Sequence, residues 1–283
     1  MAKNLRDWID LPVGDVVEGG VDWVRDNLEG PLDGFAAGVG FLAEGLESTL
    51  LFLPDWVLGP IIIAFAWWRV GWRFGTFSAV AMLLIAAMGL WQETMQTLAL
   101  VLGASLIALA AGLPLGVAMA RRNGVAAVIR PVLDFMQTMP PFVYLIPAAI
   151  FFGLGKVPGT IATVIFAMPP AVRLTNLGIR QVSQENVEAG LAFGCTSRQL
   201  LYKVQIPLAM PSIMAGINQT IMLALSMVVI ASMIGAGGLG NTVLTGIQRL
   251  DVGLGFEGGL GVVVLAILLD RMTQSFGTRR RRD

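Results

Sequence analysis

The sequence predicts an all-α polytopic membrane protein, and three observations carry that prediction. Of 283 residues, 55% are hydrophobic and only 13% charged, with a mean hydropathy of +0.74, a balance that soluble domains do not keep. Apolar stretches of near-bilayer length recur along the chain. A polar interlude at 183–211 breaks them; it carries Glu185, Glu188, Arg198 and Lys203 and must lie in water. The chain has no histidine and one cysteine, Cys195, so a histidine-based metal site, a histidine general base and an internal disulfide are excluded by inventory. Cys195 follows Gly194 in the polar interlude and reads as a small residue at a turn, not as a reactive thiol.

Residues 1–53 form an acidic N-terminal extension. Through Asp55 there are eleven acids and three bases, a net charge of −8, which suits an external flank better than a cytoplasmic one. Lys3 and Arg6 are followed by Asp7, Trp8 and Asp10 instead of an apolar core, so no cleavable signal peptide is expected. Val13, Val16, Val17, Val21, Val24 and Leu28 recur at helical spacing, and Leu32, Phe35, Ala36, Val39, Leu42 and Leu46 do so after Pro31. Two amphipathic helices lying on the membrane or against the protein are predicted.

Residues 54–92 read as two peripheral spans, 56–72 and 77–91, both short on strict count. Their tryptophans read as interfacial anchors ahead of any ligand cage. A core at 93–275 follows. Its third span, 94–120, holds Gly112 and Gly116 in a small-xxx-small pair that permits close helix approach. The fourth, 135–155, contains Pro140, Pro141 and Pro147 and meets the fifth, 160–177, through a turn at 156–159. Met139-Pro140-Pro141 and Met168-Pro169-Pro170 form a weak echo in these two spans. The sixth, 213–234, has Asn218 and Gln219 near its start, and a seventh is marginal at 258–272. Residues 235–240 satisfy GxGxxG, but no strand precedes them and no βαβ unit exists, so a flexible exit from the bilayer explains the glycines better than a nucleotide site. The basic tail, 276–283, reads as an electrostatic anchor to anionic membrane lipid and not as a nucleic-acid contact.

Seven crossings with the N-terminus outside put fourteen of the nineteen lysines and arginines inside and five outside, which the positive-inside rule selects. The polar interlude then faces the cytoplasm. Ionisable groups are nearly absent from the spans, Glu93 and Asp270 lying near predicted ends, so a carrier driven by its own ion gradient is disfavoured. No Walker A sequence occurs, so energy from ATP requires another chain.

The interlude itself has the grammar of two short helices. Ser183 can cap the first, Gly194 can end it in a left-handed turn, Thr196 and Gln199 form a capping box for the second, and Pro207 and Pro211 close the unit. The spacing Glu188-Ala189-Gly190, three residues, Gly194, nine residues, Val204-Gln205-Ile206-Pro207 resembles the EAA loop of bacterial ABC importer membrane subunits, with Gly190 where that pattern has alanine. The phrases at 136–159, 165–179 and 205–240, with 246–255 and 265–274 after them, resemble the membrane subunits of glycine betaine and proline betaine importers over roughly residues 90–275.

That resemblance implies a type I ABC importer permease fold in the bacterial inner membrane. It implies a coupling loop in which Glu185, Glu188, Ala189, Gly190, Gly194, Val204, Ile206 and Pro207 meet a partner ATPase. It further implies alternating access along a path for which Met139, Pro140, Pro141, Tyr144, Met168, Pro169, Pro170, Asn218, Gln219, Met222 and Ser226 are the candidates. No cofactor is implied in this chain, since ATP and magnesium belong to the ATPase. The implied partners are a second copy of the permease, two ATPase subunits and a periplasmic substrate-binding protein. The implied cargo is a small methylated amine: glycine betaine, proline betaine, choline or trimethylamine N-oxide. An osmotically gated channel without ATPase coupling would share the same glycine-rich, uncharged spans, and a membrane-embedded enzyme lacks paired acidic motifs or a nucleophile elbow.

Overall fold

A computed structural model describes residues 13–277, and every described regular element is helical. The expected pair of N-terminal helices is present: α1 (Val13–Phe52) is two helical stretches joined across a kink, where Leu28 leaves helical geometry at φ −121° and ψ 18°. Pro31 explains the bend: its ring clashes with the carbonyl a turn earlier and it donates no hydrogen bond, which kinks a helix without ending it. The acidic first half of α1 is exposed. The second half buries Val39 and Ala43 against the bundle, where Gly40 meets Val157 and Gly103 of α4 (Trp91–Arg121) admits Leu42 and Leu46.

The next two helices, α2 (Asp55–Arg69) and α3 (Trp72–Ala87), have 15 and 16 residues, about 22–24 Å each, shorter than a hydrocarbon core of about 30 Å. They form a peripheral pair packed on the last helix, α13 (Val252–Gly277), through Ala81, Met82, Ile85, Val264 and Leu268. Among the described residues five helices are long and apolar enough to cross a membrane, or six if one bent pair counts as a span, so the expected seven are not all full-length. One of the five is α1, which the sequence presents as amphipathic.

The centre is α4 and α7 (Lys156–Arg180), pressed together along a glycine track. A methyl added at Gly112 would sit 3.2 Å from Ala171, and one added at Gly116 only 2.7 Å from both Thr175 and the Val172 carbonyl. The small-xxx-small pair therefore faces α7, as its spacing suggests. Against this pair lies α10 (Ile206–Ser226), with Gly216 on the Pro170 carbonyl and Gly178 of α7 on Ala209 and Ser212.

The expected fourth span is the largest departure. It consists of α5 (Asn123–Thr138) and α6 (Pro141–Phe152), set at 102° to each other across Met139 and Pro140. Met139 is held extended by the following proline. The Tyr144 hydroxyl donates back to the Met136 carbonyl, one of those the bend leaves without a helical donor. Removing that hydroxyl in Tyr144→Phe is expected to cost about 1 kcal/mol, read as a lower thermal midpoint of the detergent-solubilised protein.

The second Met-Pro-Pro run does not echo the first: Pro169 and Pro170 lie buried inside a continuous α7, where neighbours on several sides hold the helix through its missing donors. The turn before α7 also shifts. It is made by Gly153 and Gly155 at φ 75° and 126°, and Lys156 already belongs to the helix.

After α10 the chain breaks at Met227, makes the short α11 (Val228–Ser232), and enters residues 235–240. These glycines do not form a loose exit. Gly235, Gly237 and Gly238 take positive φ, the Gln96 side chain accepts from the Gly238 amide at 3.2 Å, and the Thr97 hydroxyl accepts from the Leu239 amide at 2.8 Å. They thereby start an unanticipated helix, α12 (Leu239–Arg249), which turns back on α13 with Gly246 against Gly255. Nearby, Lys156 pairs with Glu47 at 2.6 Å and clips α1 to the same end of the bundle.

Candidate functional site

The polar interlude sits at the opposite end, at the root of α7. Arg180 fixes that root: its guanidinium donates to the Met119 carbonyl at 2.7 Å, to Asn123 at 2.8 Å and to Asn176 at 2.9 Å. This joins the ends of α4 and α7 to the start of α5. Arg173 and Asp134 make a second tie between α7 and α5.

From there α8 (Gln184–Ala192) projects outward. Ser183 occupies the cap position, but its hydroxyl accepts from the Asn186 side chain at 2.8 Å instead of from a backbone amide. Gly194 ends the helix at φ 79°, and the Cys195 amide donates to the Gly190 carbonyl at 3.0 Å. Thr196 and Gln199 form both halves of a capping box on α9 (Ser197–Leu200).

The second short helix does not stop, however. It passes through a π-helical turn, Leu201–Gln205, straight into α10, so that 197–232 is one bent rod. Pro207 supplies the reason. With no N–H to give the Lys203 carbonyl and a ring that crowds it, the turn ahead widens and the Ile206 amide donates to Leu201 instead. Prolines expected to close the interlude therefore lie inside a helix that links the loop rigidly to the membrane core.

Within the loop, Gly190 is the buried contact. A methyl there would lie 2.8 Å from Leu200 and 3.5 Å from Val204, so α8 rests directly on the rod. Leu201 is buried with Ile179, Ala209 and Ile213, and Ile206 packs beside them. Glu185, Glu188, Ala189 and Pro207 are exposed, and Glu188 accepts from Gln184 at 2.9 Å. Phe193, 90% exposed, and the exposed Leu191 form an apolar knob at the tip of α8, and Tyr202 is exposed on the π turn, where it lines a cleft with Leu113 and Arg121 of α4. These three lie outside the EAA-type spacing. Their signal is in the sequence all the same, as large apolar residues in a polar stretch beside a turn glycine.

The candidate path residues separate into two groups. Gln219, Met222 and Ser226 share one exposed stripe of α10, and Pro140 is exposed at the α5–α6 bend. Tyr144, Pro169 and Pro170 are buried between helices, Met168 packs under Gly112, and Met139, Pro141 and Asn218 are half-buried. Asn218 faces α13 and donates to Asp270 at 2.8 Å.

A proline-broken helical bundle, with a polar hairpin projecting from one end and Gln219, Met222 and Ser226 exposed along α10, is the architecture of a polytopic membrane protein. The comparisons identify the family. The model of the binding-protein-dependent transport system inner membrane component matches residues 112–282, more than half of the chain. The chain is 50% identical to the glycine betaine/proline betaine transport system permease protein ProW of Escherichia coli strain K12, over 96% of this chain and 77% of that one. It is 46% identical to the glycine betaine transport system permease protein OpuAB of Bacillus subtilis strain 168, over 96% of each. It is 37% identical to the trimethylamine N-oxide transport system permease protein TmoV of Ruegeria pomeroyi, over 90% of this chain and 40% of that one. Among solved structures, an inward-facing MetNI methionine ABC transporter chain superposes with a TM-score of 0.58 at 20% identity, covering 65% of this chain and 94% of its own; this shows the fold. The chain belongs to the family of binding-protein-dependent transport system inner membrane components, and it is a multi-pass membrane protein of the ABC importer permease fold. Its relatives are named as transport permeases, which leaves the channel alternative without support.

Proposed function

We propose that this chain is the membrane-spanning half of an ATP-driven importer for a small quaternary ammonium or methylated amine osmolyte, with glycine betaine as the first cargo to test. The observation that carries the proposal is the identity of 46–50%, spanning 96% of the chain, with relatives whose names specify glycine betaine. The trimethylamine N-oxide relative extends the class to other methylated amines. Two copies of the chain, two ATPase subunits holding ATP and magnesium, and a periplasmic binding protein complete the assembly.

The geometry supplies a route for the work. An ATPase dimer grips the α8 tip on each permease; closing it moves α8, and the continuous rod from α9 through the π turn carries that motion into α10. Its Gln219, Met222 and Ser226 stripe, facing the second copy, forms the wall that alternates between the two sides. Arg69, Arg73, Arg121, Arg122, Arg180, Arg198 and Lys203 all lie at the loop end of the bundle, which supports a cytoplasmic loop, an outside N-terminus and an inside C-terminus. Selectivity is assigned to the binding protein: Tyr144 lies against Phe166 and Phe151 against Phe152, while Phe142 is exposed.

The test is uptake of labelled glycine betaine into proteoliposomes containing the permease, its ATPase and its binding protein. Uptake is expected only with ATP and all three components. Uptake down a gradient without the ATPase would overturn the proposal.

A further inference from the structure

Asp270 lies half-buried on the last two turns of α13, seven residues or about 10 Å from Gly277. Its Oδ1 accepts from the Asn218 amide of α10 at 2.8 Å and from Gln274 of its own helix at 2.8 Å. No described cation reaches it within ion-pair distance. Arg69 of α2 donates to the Ser275 carbonyl at 3.2 Å and stacks on Phe276, and Arg271 is exposed. The other charged groups of the helices packed on α13 are Asp55, Arg73, Glu93, Arg121 and Arg249, all at or next to helix ends, and α10 carries none. Asn218 keeps its own carbonyl oxygen buried without a partner, a cost accepted for this one contact.

The place of the contact gives it meaning. Asn218 lies on the rod that begins at the coupling loop, and beyond it α10 and α13 meet through apolar side chains, Ile221, Ala224 and Leu225 with Leu265 and Leu269. We infer that the Asn218–Asp270 bond is a clasp that makes α13, and through Arg69 and Ser275 the α2–α3 pair, move with α10 when the coupling loop is driven. Asp270 is thus a positioning residue, with its hydrogen bond and not its charge as the working feature. The inference rests on the transport reading above.

The test exchanges the pair in the full transporter: N218D, D270N, the double variant N218D/D270N, and D270L, each assayed for ATP-driven uptake and for ATP hydrolysed per substrate imported. In N218D two carboxylates face each other, and uptake is expected to fall about tenfold while hydrolysis continues. D270N keeps an acceptor for Asn218 and stays within about twofold of wild type, and N218D/D270N recovers to the same level. D270L loses the clasp and raises the ATP used per substrate. The inference is overturned if the double variant is as poor as N218D, if D270N fails like D270L, or if D270L couples as well as wild type. Wild-type complex that shows no ATP-driven uptake overturns the transport reading instead, so the two failures are distinguishable.

Discussion

Phe193→Ala is expected to release the ATPase: affinity between permease and ATPase falls by about 2 kcal/mol, roughly thirtyfold, with the permease still folded in the membrane. Phe193 is 90% exposed and supports nothing in its own chain, so truncation removes contact area without disturbing α8. A large aromatic at the tip of a short, capped helix is the side chain most suited to fill a pocket on a partner. Gly190→Leu is the companion test, because it leaves the knob intact and moves the helix that carries it. A methyl at Gly190 already stands 2.8 Å from the tip of Leu200, which can rotate away, so Gly190→Ala is tolerated. Leucine cannot fit and lifts α8 off the rod, and uptake is expected to fall about tenfold or more while the ATPase still binds. Titrating ATPase onto detergent-solubilised permease separates the outcomes. Unchanged binding in Phe193→Ala, together with unchanged uptake in Gly190→Leu, would remove α8 from the mechanism.

Those two positions also show how much of the site could be read before its geometry was known. The turn at Gly194 and the capping box at Thr196 and Gln199 appear where local spacing puts them, because helix ends are governed by contacts within four residues. Pro207 was harder. A proline ends a helix by default, and only the π turn ahead of it, stabilised by Leu201 packing beneath Ile179 and Ala209, lets the helix continue. Hydropathy located the α4, α7 and α13 spans but not the 102° bend at Met139 and Pro140, since the same composition fits a straight crossing. Nor does composition give helical phase in a nearly uniform span. Asn218 and Gln219 are neighbours in sequence, yet one binds Asp270 and the other is exposed, a difference that only the positions of α7 and α13 around α10 decide. The unforeseen α12 starts on a contact between distant segments, the Thr97 hydroxyl with the Leu239 amide, which no local pattern announces.

The second large effect concerns the α4–α7 core. Gly116→Leu is expected to prevent a stable subunit, and even Gly116→Ala to lower its stability by about 1–3 kcal/mol, because the new methyl meets the Val172 carbonyl and Thr175 Cβ, both at 2.7 Å. Neither contact is a flexible tip that swings aside, so α4 and α7 must separate along their length. Gly112 supplies an internal comparison one turn away: its methyl would stand 3.2–3.3 Å from Ala171 and Met168, and Met168 can yield, so Gly112→Ala should cost less than Gly116→Ala. Gly38, in the interior of α1 with nothing within 4 Å, is the control, and alanine there should be neutral or stabilising by up to about 1 kcal/mol. Thermal midpoints and membrane yields should therefore rank Gly38→Ala, Gly112→Ala, Gly116→Ala, Gly116→Leu from most to least stable. A flat series would mean that α4 and α7 are not pressed together in the working transporter. A steep one would show that α4 and α7 hold the close approach that Gly116 requires in the assembled protein.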